Sequence, residues 1–262
     1  MLTVDVVIPA LNEASSIVLV LDAIPKRLVR RIVVVDNGST DGTPLVAERA
    51  GAIVVSESRR GYGSACMAGL VRLATDPPAV VVFLDADFSD HPEEMESLLA
   101  AVCEGNADLV IGSRARGNLE PGALAPQARF GNRLACFLVM KLYGYRYTDL
   151  GPFRAVRWDA LRRLEMSDAT YGWTIEMQVK ALRHRLRVAE VPVSYRRRIG
   201  RSKITGTVTG SVGAGAKILW TVFRYTPWGR VVREGWRRAT HGRLWGESRR
   251  ESARQRANRV VV

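Results

Sequence analysis

Several segments place oxygen-rich side chains directly after runs of β-branched residues, and their chemistry points to a charged, phosphate-bearing ligand. Asp85-Ala86-Asp87 follows the run VVVFL. Two carboxylates at i and i+2 on a strand tip can share a hard divalent cation, directly or through water, and such a cation neutralises phosphate charge. A turn whose Asp side chains satisfy loop backbone is the competing reading. Pro9-Ala10-Leu11-Asn12-Glu13 follows the first run. Asn12 can cap a helix there, and Glu13 suits the helix dipole or can accept hydrogen bonds from a ribose. Asp36 ends the second run and opens DNGSTDG, in which Gly38 and Gly42 permit tight turns and Asp36 is placed to read a base edge. Arg60-Gly61-Tyr62-Gly63-Ser64-Ala65 follows the third run. It fails as a dinucleotide fingerprint, because Cys66 stands where the third Gly belongs, but a glycine-rich turn beside a nucleotide fits. No GxxxxGK[ST] loop is present.

These segments need a scaffold that presents strand ends side by side. Runs at 4–8, 31–35, 53–55, 80–84 and 108–111 read as strands buried on both faces, as in a parallel sheet. Stretches at 13–24, 43–50, 64–74 and 93–103 carry apolar residues at helical spacing, with starts at Asn12 and at His91-Pro92. The alternation predicts an open α/β sandwich whose ligands bind at the carboxyl ends of the strands. After Gly112 the rhythm changes to a Gly/Pro/Ala loop, a helix over 127–142, a turn over 148–152, a helix over 172–182 and a strand over 187–195.

The chain has 262 residues, of which 47% are hydrophobic and 25% charged, so one large domain with a sizeable core is expected. Three widely spaced cysteines, Cys66, Cys103 and Cys136, argue against a disulfide framework and suit a reducing cytosol. No run of eighteen apolar residues and no signal-like N-terminus occur, so a cytoplasmic protein, peripheral at most to the inner face of the membrane, is expected. The net charge of +13 is uneven: residues 183–203 and 226–262 carry +7 each, and the remainder is nearly neutral. Such basic stretches attract phosphates, anionic lipid or nucleic acid.

VVIPALNE, VVVDNGSTDGT, RGYGSA, FLDADFSDHP and IGSR, in this order and spacing, resemble an inverting family 2 glycosyltransferase of the GT-A fold. Within that family the pattern is most similar to the dolichyl- and polyprenyl-phosphate hexose synthases. The resemblance covers residues 4–205 and implies a GT-A-type open, mostly parallel sheet flanked by helices. It implies a nucleotide-diphosphate sugar donor, of UDP-glucose or GDP-mannose type, cradled by Pro9, Ala10, Asn12, Glu13, Asp36, Gly63, Asp85 and Ala86. Asp85 and Asp87 would hold Mg2+ or Mn2+. The chain departs from the family pattern at Ser89, where a Gln is usual, and at Asn37, where an Asp is usual.

Two acceptor chemistries follow. A phosphate monoester is already ionised and needs no base, only cations to position it, and the resemblance assigns Arg114, Arg133, Arg201 and Lys203 to that role. A soluble hydroxyl or glycan acceptor would require a general base, for which Glu176 is the candidate. The leading expectation is a lipid-phosphate acceptor at a membrane surface. Residues 206–226 support it as an amphipathic segment, with Ile218, Leu219, Trp220, Val222, Phe223 and Tyr225 beside Lys217 and Arg224. A helix closing the sheet is the plainer reading. Residues 227–262 form an Arg-rich, poorly ordered tail by composition. Nucleic-acid binding through that tail and nucleotidyl transfer at the carboxylate pair are the rival functions; a nucleic-acid partner is not expected.

Overall fold

A computed structural model describes residues 2–200 and 208–226. Five strands arrive where the β-branched runs predict them: β1 (Val4–Ala10), β2 (Arg31–Asp36), β3 (Ile53–Ser56), β4 (Val80–Phe83) and β5 (Leu109–Ser113). With β6 (Arg154–Arg157) and β7 (Val188–Pro192) they form one sheet in the order β3-β2-β1-β4-β6-β5-β7. β1 pairs in parallel with β2 and β4, β2 with β3, and β5 with β7, whereas β6 runs antiparallel to both its neighbours. An open, mostly parallel sheet flanked by helices is therefore the architecture, as the resemblance implied.

The central strands β1, β4 and β5 are buried on both faces, which explains why they read as continuous apolar runs, whereas the edge strands β3 and β7 are only half-buried. On one face Val6, Ile8, Val34 and Val82 pack with Ile17 and Leu21 of α1 (Ile17–Ala23) and with Leu98 of α4 (Met95–Cys103). α2 (Thr43–Arg49) adds Ala47 to the same cluster. On the other face lies α3 (Tyr62–Leu73), where Gly69 lets the helix approach β1. A Cβ there would stand 2.6 Å from a Val7 methyl.

Two local expectations need correction. α1 begins at Ile17 with Ser16 at its N-cap, so Asn12 does not cap it. Instead Asn12 takes a left-handed conformation (φ 53°), and its Oδ1 accepts the Thr40 N–H at 2.8 Å. The strand expected over 187–195 ends at Pro192, which cannot donate to a ladder. β6 and α6 (Trp158–Leu164) are additions that the sequence pattern does not announce.

The remaining helices are α5 (Pro126–Tyr143), α7 (Trp173–Arg183) and α8 (Val208–Arg224). Two compact units are delimited, Met1–Val222 and Phe223–Val262. The second is described only to Thr226, whose N–H and Oγ both donate to the Phe223 carbonyl, at 3.0 and 2.7 Å. The tail 227–262 lies outside the described residues, as do Arg201 and Lys203. Among the described residues no helix is long and apolar enough to cross a membrane.

Candidate active site

At the carboxyl edge of the sheet, the tips of β1, β2 and β4 open into a cavity of about 220 Å³, hereafter the strand-end cavity. β1 contributes Pro9, Ala10 and the following Leu11 and Glu13, β2 is followed by Asn37, and the β4 tip supplies Asp85, Ala86 and Asp87. Arg60, Gly61, Tyr62, Tyr171 and Arg198 line the remaining wall.

The carboxylates on this edge crowd one another. Burial, followed by the charge of Asp87, pushes the Asp85 carboxyl up to about 7. Burial, followed by Asp85 and Asp87, holds Asp90 well above the ordinary carboxylate range. Asp90 Oδ2 accepts the Asp85 N–H at 3.3 Å, while its buried Oδ1 has no hydrogen-bond partner. Asp87 is oriented by Ser89, whose N–H (2.9 Å) and Oγ (2.5 Å) both donate to Oδ1, leaving Oδ2 to meet Arg198 at 3.2 Å. A small hydroxyl at 89 thus fixes the carboxylate from within its own turn. Crowded hard oxygen donors with an orphaned buried oxygen fit a divalent cation, which would relieve the mutual repulsion. Among the described residues no cluster of three or more His, Cys, Asp or Glu forms a closed metal cage. Asp85 and Asp87 would therefore supply only part of a shell, with phosphate and water completing it.

The strand-end cavity has a neighbour of about 350 Å³, which shares Tyr62, Asp85, Asp87, Tyr171 and Arg198 with it. This helix-side cavity is largely apolar away from that shared wall. Leu124, Ala125 and Ala128 lie along the entry to α5, Leu150 and Pro152 come from the turn before β6, and Ile218 comes from α8. Its polar groups away from that wall are Arg114, Gln127, Asn132, Thr174 and Tyr195. The Arg114 guanidinium is gripped by Asp149, with Nε to Oδ2 and Nη2 to Oδ1 both at 2.8 Å, and it lies 4.9 Å from the centre of the Tyr195 ring. Nη1 is the nitrogen left over by that grip.

Of the residues expected around a donor, Pro9, Ala10, Glu13, Asp85, Ala86 and Asp87 line the strand-end cavity. Asn12, Asp36 and Gly63 do not line it. Asp36 is buried and its Oδ1 accepts the Ser39 N–H at 3.0 Å, closing the turn instead of facing a base. Glu13 is buried, with Oε1 3.0 Å from Arg198 and Oε2 accepting from Ser16 Oγ at 3.0 Å.

Gly61 and Gly63 are required by a backbone crossing. The segment 168–169 lies so close that a Cβ at Gly63 would stand 1.8 Å from the Asp168 carbonyl, and one at Gly61 would stand 2.1 Å from that of Ala169. Ser64 N–H donates to the Ala169 carbonyl at 2.9 Å. Asn37 is equally specific in what it does. Its Nδ2 donates to the Glu57 and Arg59 carbonyls, and its Oδ1 accepts the Gly61 N–H at 2.7 Å. An ionised Asp could not make the two donations. The amide at 37 is thus the group that pins the Arg60-Gly61 loop to β2.

The general-base role for Glu176 does not fit its surroundings. The side chain is fully buried in α7 and accepts from Ser167 N–H, Ser167 Oγ and Asp168 N–H, the last at 2.7 Å, while Lys180 stands 2.9 Å away. It lines neither cavity. Its work is to pin the loop that crosses Gly63. Arg133 is exposed on α5, and its neighbour Asn132 is the one that lines the helix-side cavity. The basic run 196–198, whose charge by sequence suits a lipid headgroup region, holds a site residue: Arg198 lines both cavities.

The family described as glycosyl transferase family 2 matches residues 5–164. An uncharacterized glycosyltransferase of Mycobacterium tuberculosis is 40% identical over 80% of this chain and 93% of its own length. The undecaprenyl-phosphate mannosyltransferase of Micrococcus luteus is 32% identical over 87% of this chain and 94% of its own length. Among solved structures, glucosyl-3-phosphoglycerate synthase from M. tuberculosis, in complex with Mn2+, UDP and glucosyl-3-phosphoglycerate, superposes with a TM-score of 0.68 at 26% identity. That alignment covers 85% of this chain and 79% of the synthase.

Proposed function

The chain belongs to glycosyl transferase family 2, and on that footing we propose that it transfers a hexosyl group from a nucleoside-diphosphate sugar to a polyprenyl-type lipid phosphate, with inversion. The observation that carries this reading is the pair of cavities meeting at Asp85, Asp87, Tyr62, Tyr171 and Arg198. The first lies at the tips of parallel strands and carries the carboxylates; the second adds Arg114 and Tyr195 near the shared wall and, farther out, an aliphatic wall from α5, the turn before β6 and α8. An amphiphile with a charged head fits the second cavity better than a small polar acid does, because Leu124, Ala125, Ala128, Leu150, Pro152 and Ile218 gain only from hydrocarbon.

In this reading Pro9, Ala10, Asn37 and Arg60 surround the nucleoside, and Asp85 and Asp87 hold Mg2+ or Mn2+. When bound, the cation stabilises the negative charge that develops on the departing diphosphate. The acceptor phosphate is ionised near neutral pH, since its second pKa is about 6. No protein base is then needed, consistent with the burial of Glu176. Arg114 and Tyr195 hold the phosphate oxygen opposite the leaving group. That oxygen forms a bond to the anomeric carbon as the carbon–oxygen bond to the diphosphate breaks. The electron pair leaves on the nucleoside diphosphate, and the single displacement inverts the anomeric centre. Ile218 and Leu124 exclude water from the site, which protects the donor from hydrolysis. Apolar Leu219 and Trp220, exposed on α8 beside the cavity-lining Ile218, support approach of the helix to a lipid surface.

Isothermal titration of UDP-glucose and GDP-mannose, with and without Mn2+ or Mg2+, tests the donor half. One donor should bind only with the cation, and Asp87→Ala should abolish that binding. Binding of both donors without a cation, or of neither donor with it, would overturn the assignment.

A further inference from the structure

Arg198 sits where two demands compete. Its Nη1 is 3.2 Å from Asp87 Oδ2 and its Nη2 is 3.0 Å from Glu13 Oε1, at the wall common to both cavities. Asp87 Oδ1 is already occupied by Ser89, so Oδ2 is the oxygen through which Asp87 can take a cation. A guanidinium and a divalent cation cannot share that oxygen at close range, because both are positive and Mg2+ and Mn2+ hold a tight octahedral shell.

The backbone of the arginine is fixed while its head is not fully satisfied. Arg196 N–H donates to the Ser89 carbonyl and Ile199 N–H donates to the Asp87 carbonyl, each at 3.0 Å, so residues 196–199 are strapped along the Asp87 turn. The Nε of Arg198 is buried and has no hydrogen-bond partner. Two other cations nearby are committed elsewhere. Arg114 is gripped by Asp149, and the Arg196 guanidinium lies 3.7 Å from the centre of the Phe88 ring while its Nη2 donates to the Asp90 carbonyl. Arg198 is thus the described cation in contact with the cation-holding carboxylate, on a long side chain that can swing from a fixed anchor.

Building on the donor reading above, we propose that Arg198 is an internal stand-in for the divalent cation. In the donor-free protein it neutralises Asp87 and Glu13 and blocks the cation. When the nucleoside diphosphate arrives with its metal, the guanidinium moves from Asp87 to the incoming phosphates. Cation and donor therefore bind as a cooperative pair, each removing an obstacle to the other. The enzyme avoids holding a bare metal ion in a site open to water.

The test is Mn2+ binding, followed by the electron paramagnetic resonance signal of free Mn2+, to the full chain with and without UDP. Wild-type protein should bind Mn2+ alone at least tenfold more weakly than in the presence of UDP. Arg198→Gln should bind Mn2+ alone at least tenfold more tightly than wild type, with the enhancement by UDP reduced by a similar factor. Arg198→Lys, which keeps the charge, should stay near wild type. Adding Asp87→Asn to Arg198→Gln should erase the gain. Equal Mn2+ affinity in wild type and Arg198→Gln, including no binding by either, overturns the proposal. A circular dichroism melt of each variant confirms that a folded protein is being compared. Because the arm with Mn2+ alone needs no nucleotide, it reports on Arg198 even if UDP fails to bind, whereas that failure would count only against the donor reading.

Discussion

The strand-end cavity and the helix-side cavity are built on different principles. The first is walled by tips of parallel strands, where the ladder fixes each backbone and residue identity fixes the chemistry. The second is walled by α5, α8 and the turn before the antiparallel β6, where apolar surface sets the shape. Glycine use makes the contrast concrete. Gly61 and Gly63 have backbone carbonyls where a Cβ would go, whereas Gly131 and Gly215, on the helix-side wall, have nothing within 4 Å. The strand-end side therefore tolerates little change, and the helix-side wall is where acceptors of different shape can be accommodated on one scaffold.

The largest expected effect is on the strand-end side. Asp87→Ala should lower kcat by about 10²–10³, the range typical for losing one preorganised electrostatic group, with the melting temperature held. A loss below tenfold would place the cation elsewhere. Gly63→Ala comes next, because backbone must move to admit the methyl. A destabilisation of about 1–3 kcal/mol is expected, read as a fall in melting temperature of roughly 2–4 °C per kcal/mol. Gly131→Ala should move the opposite way, gaining about 0.5–1 kcal/mol from helix propensity. Equal shifts of one sign in the two melts would erase the contrast.

On the helix side, Leu124→Asp should raise KM for a lipid-phosphate acceptor about tenfold, since a charge replaces apolar wall worth about 0.8 kcal/mol per buried methylene. Donor affinity, measured by titration, should not change. The smallest effect joins the two sides. Lys217 of α8 lies 3.0 Å from Asp168 Oδ2, and Asp168 belongs to the loop that crosses Gly63. Lys217→Ala should raise donor KM about fivefold, the equivalent of ~1 kcal/mol, with a smaller change in kcat and recovery in Lys217→Arg. An unchanged donor KM would mean that α8 does not help to position the strand-end wall.

How far each side is legible in the sequence follows the same division. β1, β2, β4 and β5 can be read because strands buried on both faces must be apolar, half-buried β3 can be read from its β-branched residues, and the strand tips locate Pro9, Glu13, Asp85 and Asp87. β6 cannot, because Arg-Ala-Val-Arg shows no apolar run. Arg154 is nevertheless buried, donating to the carbonyls of Thr174, Leu150 and Gly151. Asp36 and Asn12 suit a ligand by type and position, yet both satisfy the backbone of the 38–40 turn, a local demand that their residue types serve equally well. Glu176 and Arg198 show the limit from opposite directions. An acid on an amphipathic helix proves to be a buried loop anchor, and one arginine in a run of three reaches the centre of the site. Only tertiary placement separates those outcomes from the ordinary surface roles of the same residues.

What fills the helix-side cavity decides the function. The decisive experiment offers the protein its donor and cation with polyprenyl phosphate, the dephosphorylated polyprenol or 3-phosphoglycerate, and follows sugar into the organic and aqueous phases. An acceptor cavity that combines an aliphatic wall with Arg114 predicts an organic-phase product from polyprenyl phosphate alone, with inverted anomeric configuration and stoichiometric release of nucleoside diphosphate. Transfer to the water-soluble 3-phosphoglycerate, or equally well to the polyprenol lacking a phosphate, would contradict it.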